Sequence, residues 1–238
     1  MENYIYHIIY IIMYQIRYLV INMTQDNHRL NPILHSLHLN KKEFVTSDEI
    51  RSIGKRLGVN PQNSIRNLAA RGYIVRIFRG LFYVKDFEDV MMGRSKYSHL
   101  EIVAKGLEQM NVKAWYFCLH TALKLNNQTH ETLNMDYIAS DTLFRGKVIN
   151  IVGHMFKFHK LGPSLFDFGI RTDIKPLRFS DAEKTILDII YINRYNAVPE
   201  KRIALDIGDL VDHADRKRID KYLEHYPKTV GRTIEGLK

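Results

Sequence analysis

Cysteine is nearly absent from this sequence, since Cys118 is the only one in 238 residues. A single thiol can form neither an intramolecular disulfide nor a zinc cage of several thiolates within one chain. The composition therefore favours a reducing, cytoplasmic setting. Cys118 stands close to Trp115, Phe117 and Leu119, so we expect a buried thiol rather than a reactive one.

Common enzyme motifs are also missing. The sequence contains no Gly-x-Gly-x-x-Gly, no phosphate-loop motif and no His-Glu-x-x-His, which are signatures of nucleotide-binding and zinc-protease sites. Its histidines are scattered, and such residues are more often packed or exposed than bound to a metal. We therefore predict no cofactor and no metal site. The histidines weighed as ligands are His120, His130, His154 and His159.

Acidic residues are outnumbered, because 26 Asp plus Glu oppose 35 Lys plus Arg and leave a net charge of +9. This excess favours a polyanionic partner, either nucleic acid or an anionic membrane surface, and charge alone does not choose between them. With 45% hydrophobic residues and 11% aromatic residues, the chain can bury the core of one large domain or two modest ones.

The longest hydrophobic run lies near the start, where residues 4–21 are mostly Ile and Tyr, interrupted by His7, Gln15 and Arg17. The run is just long enough to span a bilayer. Its polar interruptions and the lack of a preceding basic segment disfavour a membrane anchor. It could instead be an upstream extension with Met23 as the true start, or an extra helix that packs on the body or on a second subunit. We treat residues 1–23 as a separate hydrophobic extension.

Three consecutive segments have the pattern of helices. Residues 29–39 repeat apolar side chains at helical spacing. Residues 46–57 begin with a capping-box pattern, residues 60–71 begin with Asn-Pro, and a glycine follows each of these two segments. Residues 58–60 leave only a tight connection between the second and third helices, as in a helix-turn-helix.

A β-hairpin is predicted immediately after the third helix. Residues 73–84 form two β-rich runs joined by Arg79-Gly80 as the turn. Three helices followed by a hairpin give the order of a winged helix. We therefore predict an α+β protein with a winged helix-turn-helix domain at residues 24–92 and a mixed α/β domain at residues 93–238, with the boundary near Gly93.

The second domain mixes helical and strand patterns. A helix over residues 179–195 is the strongest prediction, with Ser180 as its N-cap, and the last stretch, residues 197–226, is charged with helical spacing. The other predicted helices are residues 98–110 and 115–125, and the predicted strands are residues 134–139, 148–152, 154–159 and 166–170.

The third helix carries the features of a DNA recognition helix. Ile65, Leu68 and Ala69 fall on one side and should dock on the first two helices. The remaining polar side chains in its N-terminal half suit the major groove, where amides pair with adenine and guanidinium groups with guanine. The predicted DNA-binding residues of this helix are Gln62, Asn63, Ser64, Arg66 and Asn67.

Positive charge is concentrated in the same region, because residues 41–80 contain nine basic and three acidic residues. This local excess of six is the footprint expected of phosphate binding. The alternative is that these side chains are the solvated faces of an ordinary small helical domain. The predicted phosphate-binding residues are Lys55, Arg56, Arg71, Arg76 and Arg79, the last two in the wing.

Two segments resemble a known family. Residues 67–84 (NLAARGYIVRIFRGLFYV) look like the helix-to-wing passage of the AbiEi-type antitoxins of type IV toxin-antitoxin systems, which act in abortive phage infection. Residues 180–188 (SDAEKTILD) are similar to a segment of that family's C-terminal domain. Together the resemblance covers residues 24–195, and the hydrophobic extension departs from the family pattern.

The resemblance implies a transcriptional repressor that binds double-stranded DNA repeats in its own promoter. Its C-terminal domain would counter a nucleotidyltransferase-like toxin encoded beside it, without a stable complex between the two. Winged-helix repressors often bind paired half-sites as dimers, so a homodimer on DNA is one possible state.

Enzymatic alternatives rest on weak patterns. Glu183 and Asp188 lie five residues apart on different faces of a helix, a poor arrangement for paired carboxylates, and we expect them to serve in helix-start electrostatics and a tertiary hydrogen bond. Asp167, Asp173 and Lys175 resemble a nuclease set only loosely. We predict a regulator that is not an enzyme. The alternative is a nuclease-like or other DNA-processing enzyme in which the winged helix directs the catalytic domain to its DNA.

Overall fold

The computed structural model of the chain describes residues 31–130, 134–143 and 146–236. The predicted extension at residues 1–23 and the predicted start of the first helix lie outside the described residues. Within them the chain divides into two compact units. The N-terminal unit comprises residues 31–75 and 80–96, and the C-terminal unit comprises residues 76–79 and 97–236.

Four helices form most of the N-terminal unit: α1 (Pro32–Leu39), α2 (Ser47–Leu57), α3 (Pro61–Ala70) and α4 (Phe87–Met91). The capping box that begins α2 is present, with the Thr46 hydroxyl accepting from the Glu49 N–H and the Glu49 carboxylate accepting from the Thr46 N–H. Gly58 ends α2 in the left-handed region at φ 65°, where a side chain is disfavoured. The predicted limits of the second and third helices are confirmed to within about a residue.

A three-stranded sheet completes the winged helix. Its strands are β1 (Phe44–Thr46), β2 (Ile74–Phe78) and β3 (Leu81–Val84), in the order β1-β3-β2. The hairpin is confirmed, whereas β1 was not predicted, because three residues are too few for an alternating pattern to stand out. β1 pairs antiparallel with β3, with Val45 opposite Phe82.

The C-terminal unit is a mixed sheet with helices. Its helices are α5 (His99–Gln109), α6 (Leu119–Leu125), α7 (Ala182–Tyr195), α8 (Glu200–Asp212), α9 (Arg216–Leu223) and α10 (Lys228–Glu235). Its strands are β4 (Trp115–Phe117), β5 (Met135–Ser140), β6 (Ile149–Ile151), β7 (His154–Lys160), β8 (Ile170–Arg171) and β9 (Phe179–Ser180). The predicted α+β fold class is confirmed.

The six strands run in the order β6-β7-β5-β4-β9-β8. β5 pairs parallel with β7, and β4 pairs antiparallel with β5 and parallel with β9. α7 is buried almost all round, and Ile186, Leu187 and Ile190 are at the centre of the main core. Residues 76–79, predicted as part of the wing, group with this unit, where the Phe78 ring meets Phe158 edge-on at 6.2 Å between centroids.

Three of the predicted elements are corrected by the structure. Residues 115–117 form the interior strand β4 and not the start of a helix, because bulky aromatic residues that are buried on both faces suit a strand. Ser180 belongs to β9, and Asp181 is the N-cap of α7, accepting from the Lys184 N–H. Residues 163–166 are a short 3-10 helix, so the predicted strand shrinks to β8.

Cys118 is fully buried, as its apolar neighbours predicted. Burial raises the pKa of its thiol well above the ordinary value. Among the residues that the structure describes, no helix combines the length and the apolar character needed to cross a bilayer.

Candidate nucleic-acid interface

The polar face of α3 is positioned by its cap and by the residues it buries. The Asn60 side chain accepts hydrogen bonds from the N–H groups of Gln62 and Asn63, at 3.0 and 3.1 Å, and so fixes the start of the helix. Leu68 packs in the small core of the N-terminal unit. The exposed polar side chains of α3 are Gln62, Asn63, Arg66 and Asn67, so the predicted base-reading residues share one accessible face.

Two details of this helix differ from the prediction. Ser64 is only 3% exposed, whereas Ala69, which was expected to dock, is exposed. Ser64 and Leu68 are four residues apart and therefore lie on one line along the helix. The buried face is thus turned toward Ser64 and away from Ala69. A hydroxyl that is buried inside the unit cannot contact DNA as the protein stands, so Ser64 is removed from the candidate interface.

The predicted phosphate-binding residues are all exposed. Lys55 and Arg56 lie in the last turn of α2, Arg71 follows α3, Arg76 lies in β2 and Arg79 is in the turn. The Arg76 Nε atom also donates to the Phe78 carbonyl at 3.4 Å. Nine of the ten predicted DNA-binding side chains are therefore accessible, and their contact with DNA remains a prediction.

Every acidic side chain within residues 41–80 is paired with a base outside the predicted set. Glu43 binds Lys96, Asp48 binds Arg51, and Glu49 binds Lys42 at 3.0 Å. Within the described residues, no carboxylate forms an ion pair with the predicted interface cations, which are Lys55, Arg56, Arg66, Arg71, Arg76 and Arg79. None of these six charges is therefore neutralised by an ion pair within the described residues, which sequence counting could not establish.

The wing turn is tied to the start of α2. Gly80 adopts φ 80°, a conformation that glycine tolerates best, and its carbonyl accepts from the Ser47 N–H at 2.8 Å. This bond continues the pairing of β1 with β3 as far as the turn. The position of the turn is thereby set by α2, the element that precedes α3.

With this geometry in view, comparison with known families identifies the winged helix. Residues 33–85 match the family model described as a transcriptional regulator, the AbiEi antitoxin. The winged helix is of the AbiEi antitoxin type. The resemblance read from the helix-to-wing passage is confirmed for this region, whereas the similarity read from residues 180–188 stays a prediction.

One solved structure is similar to most of this chain in its fold. The crystal structure of the RV2827C protein from Mycobacterium tuberculosis is similar to this chain with a TM-score of 0.56 at 12% identity. The match covers 87% of this chain and 74% of that one. At this identity the likeness shows the fold alone. No curated protein sequence matches the chain.

The second family-like segment, residues 180–188, proves to be the polar centre of the C-terminal unit. Lys184 and Asp188 are both fully buried, with Nζ and Oδ1 3.5 Å apart. Asp188 accepts hydrogen bonds from Tyr226 at 2.6 Å and from Tyr116 at 2.9 Å. The tertiary hydrogen bond expected of Asp188 is therefore present twice.

Lys184 sits among aromatic rings. Its Nζ lies 4.5 Å from the ring centroid of Phe168, 4.8 Å from that of Tyr116 and 5.5 Å from that of Tyr226. Burial lowers the pKa of this ammonium group, and the charge of Asp188 opposes the shift. The carboxylate and the three aromatic rings together hold the buried lysine in place. We therefore interpret this segment as part of the core that stabilises the unit.

The carboxylates at the start of α7 fasten α9. Glu183 accepts from the Arg218 guanidinium at 3.1 Å and from the Asp215 N–H at 3.1 Å. Asp181 accepts from the Tyr222 hydroxyl at 2.9 Å, and burial raises the pKa of its carboxyl. These acids make tertiary contacts that join the start of α7 to α9.

The structure also gives the surroundings of other residues that were weighed for catalysis or metal binding. Asp173 is engaged by Arg171, with Nε and Oδ1 3.0 Å apart, and that hydrogen bond lowers the pKa of the Asp173 carboxyl. His130 is exposed, whereas burial lowers the pKa of His159 to about 4. The structure does bring His154 together with two residues that the sequence did not single out, His99 and Asp136. They are distant along the chain, so no spacing pattern could have linked them.

Proposed function

We propose that this protein is a transcriptional repressor that binds repeats in its own promoter through the winged helix and acts as the antitoxin of a type IV toxin-antitoxin pair. Two observations carry the proposal: the polar face of α3 is exposed, and the predicted interface cations form no ion pair within the described residues. Family membership of the winged helix supports the regulator class. A DNA target also implies a cytoplasmic protein.

Two groups of residues would divide the work of binding. Gln62, Asn63, Arg66 and Asn67 would read base edges in the major groove, since their amide and guanidinium groups can form bidentate pairs with adenine and guanine. The five flanking cations would hold phosphates: Lys55, Arg56, Arg71, Arg76 and Arg79. Phosphate contacts set affinity and its salt dependence, while base contacts set sequence preference.

The test is a gel-shift titration of the full chain on the DNA upstream of its own gene and on a scrambled fragment, at two salt concentrations. We expect the chain to bind the upstream fragment more tightly than the scrambled one by a factor of tens or more, and its affinity for DNA to fall steeply as salt rises. Equal weak binding to both fragments would contradict the repressor and direct attention to activities of the C-terminal unit.

Variants test the division of roles. Arg71→Gln and Arg79→Gln should weaken binding to both fragments and each reduce the slope of log affinity against log salt by about 0.9. Asn63→Ala and Arg66→Ala should instead change the preference between fragments. Lys201→Gln, an exposed lysine of α8, is the charge-matched control. Equal loss on both fragments from all four changes would refute the assignment.

The antitoxin role has its own assay. A nucleotidyltransferase-like gene beside this one would supply the toxin, and co-expression should restore growth to cells that produce it. We propose that this occurs without catalysis by the antitoxin and without a stable complex. Rescue by the chain, with no co-purification of the two proteins, is the expected result; continued growth arrest would contradict it.

A further inference from the structure

A cleft of about 360 Å³ in the C-terminal unit gathers possible metal ligands from three separate elements. His99 is the first residue of α5, Asp136 lies in β5 and His154 begins β7. One side-chain ligand atom from each lies within 4.8 Å of the other two. None of these three residues belongs to the predicted DNA-binding set, and the function proposed above does not depend on them.

The sheet explains why two of these residues meet. β5 and β7 are parallel neighbours, with Asp136 opposite Phe156. Side chains alternate along a strand, so His154, two residues before Phe156, projects from the same face as Asp136. His99 approaches that face from α5, with its ring centroid 6.1 Å from that of Phe156. Backbone register therefore holds Asp136 and His154 beside the fully buried Phe156, and α5 brings His99 to the same place.

The distances suit one small cation. His99 Nε2 and Asp136 Oδ2 are 3.0 Å apart. Two atoms that each bind Zn²⁺ at roughly 2.0–2.2 Å in tetrahedral geometry are separated by about 3.3–3.6 Å. The first two ligand atoms therefore have to move apart by only about 0.5 Å to bind one ion.

The third ligand needs only a side-chain rotation. The His154 ring stacks on that of His99, with 3.6 Å between centroids and 6° between planes. Because His154 is exposed, it can turn toward the ion without displacing core atoms.

Asp136 is held in place by a partner outside the ligand set. Thr121 Oγ1 donates to Asp136 Oδ1 at 3.2 Å and accepts from the Tyr137 N–H at 2.8 Å. Metal-binding carboxylates are commonly oriented by such hydrogen bonds. His120 also lines the cleft, and its buried Nδ1 has no hydrogen-bond partner among the described residues.

We propose that His99, Asp136 and His154 bind one Zn²⁺, with the fourth position open to water or an external ligand. Two imidazoles and one carboxylate are donors that suit this borderline cation. Lys124 lines the same cleft, and its charge opposes the cation. The affinity should therefore be weaker than that of a closed structural site with four protein ligands.

Calorimetric titration of the full chain tests the site, using protein without a polyhistidine tag that has been treated with a chelator and then dialysed. Zn²⁺ should bind saturably, and His154→Ala and Asp136→Asn should each weaken the affinity of this site at least tenfold. His213→Ala, at an exposed histidine of the same unit, should leave it unchanged. Circular dichroism shows whether each variant is folded.

His154→Ala is the decisive variant because its side chain is exposed. If it binds Zn²⁺ as tightly as the original chain, or if the original chain shows no saturable binding, the proposal is overturned. If all three variants lose affinity equally, the ion is bound elsewhere through general histidine content, which also overturns it.

Discussion

Replacing Lys184 by methionine should destabilise the C-terminal unit strongly. Methionine nearly preserves the volume of the side chain but removes the charge that balances Asp188. Both residues have no exposed side-chain surface, so the carboxylate would stay buried with only the hydroxyls of Tyr116 and Tyr226 as donors. Breaking a buried ion pair from one side typically costs about 3–5 kcal/mol, and the two retained hydrogen bonds place this variant near 3 kcal/mol.

Asp188→Asn removes the other half of the pair, and the double variant removes both charges. Because each single change leaves one uncompensated buried charge, the double variant should lose less than the sum of the two. A coupling of about 1.5–3 kcal/mol is expected for neighbours in one network. The control is Lys201→Met, which removes an exposed charge and should change the unfolding free energy by about 0.5 kcal/mol or less.

The assay is urea unfolding followed by tryptophan fluorescence. Trp115 is the only tryptophan in the sequence and is 1% exposed in the core of the C-terminal unit, so its emission reports on that unit. Single variants that each cost less than about 1 kcal/mol, or that add without coupling, would refute the view that this pair is the polar centre of the unit.

Two further predictions concern stability. Thr46→Ala removes the hydroxyl that accepts from the Glu49 N–H at 3.2 Å and should cost about 1 kcal/mol, measured by urea unfolding with circular dichroism; an equal midpoint for this variant and for the exposed control Ser52→Ala would contradict it. The pKa of His159 falls from 6.5 to about 4 on burial, so the unfolded chain holds more protons between these values and the unfolding free energy drops as pH falls from 6.5 to 4. Full linkage would give about 3 kcal/mol, which partial exposure of the ring reduces to about 1–2 kcal/mol. His159→Gln should flatten this dependence while His213→Gln preserves it, and identical pH profiles for both variants would contradict the assignment.

Local signals in the sequence are enough to predict the helices and the hairpin of the winged helix. The capping box at Thr46, the Asn-Pro start of α3 and the Arg79-Gly80 turn each depend on residues close together in the chain. The prediction of the buried face of α3 is less accurate, because helical spacing alone does not decide whether Ser64 or Ala69 faces the core. That choice depends on the positions of the other helices.

The C-terminal unit was harder to predict because its main contacts are not local. β4 was mistaken for a helix, since its short aromatic run shows no alternation and is recognised only once β5 and β9 flank it. The partners of Asp188 lie 72 and 38 residues away. The His99, Asp136 and His154 cluster likewise arises from the pairing of two strands, which no single stretch of sequence specifies.

The pairing of β1 with β3 has a consequence for the order of folding during synthesis. Val45 lies opposite Phe82, so the loop that this pairing closes contains both α2 and α3. As the chain leaves the ribosome, helical turns form from local contacts, but the backbone of β1 stays hydrated until its distant partner emerges. We therefore expect a nascent chain that stops short of β3 to lack a finished winged helix, so that DNA binding is acquired late and as a whole.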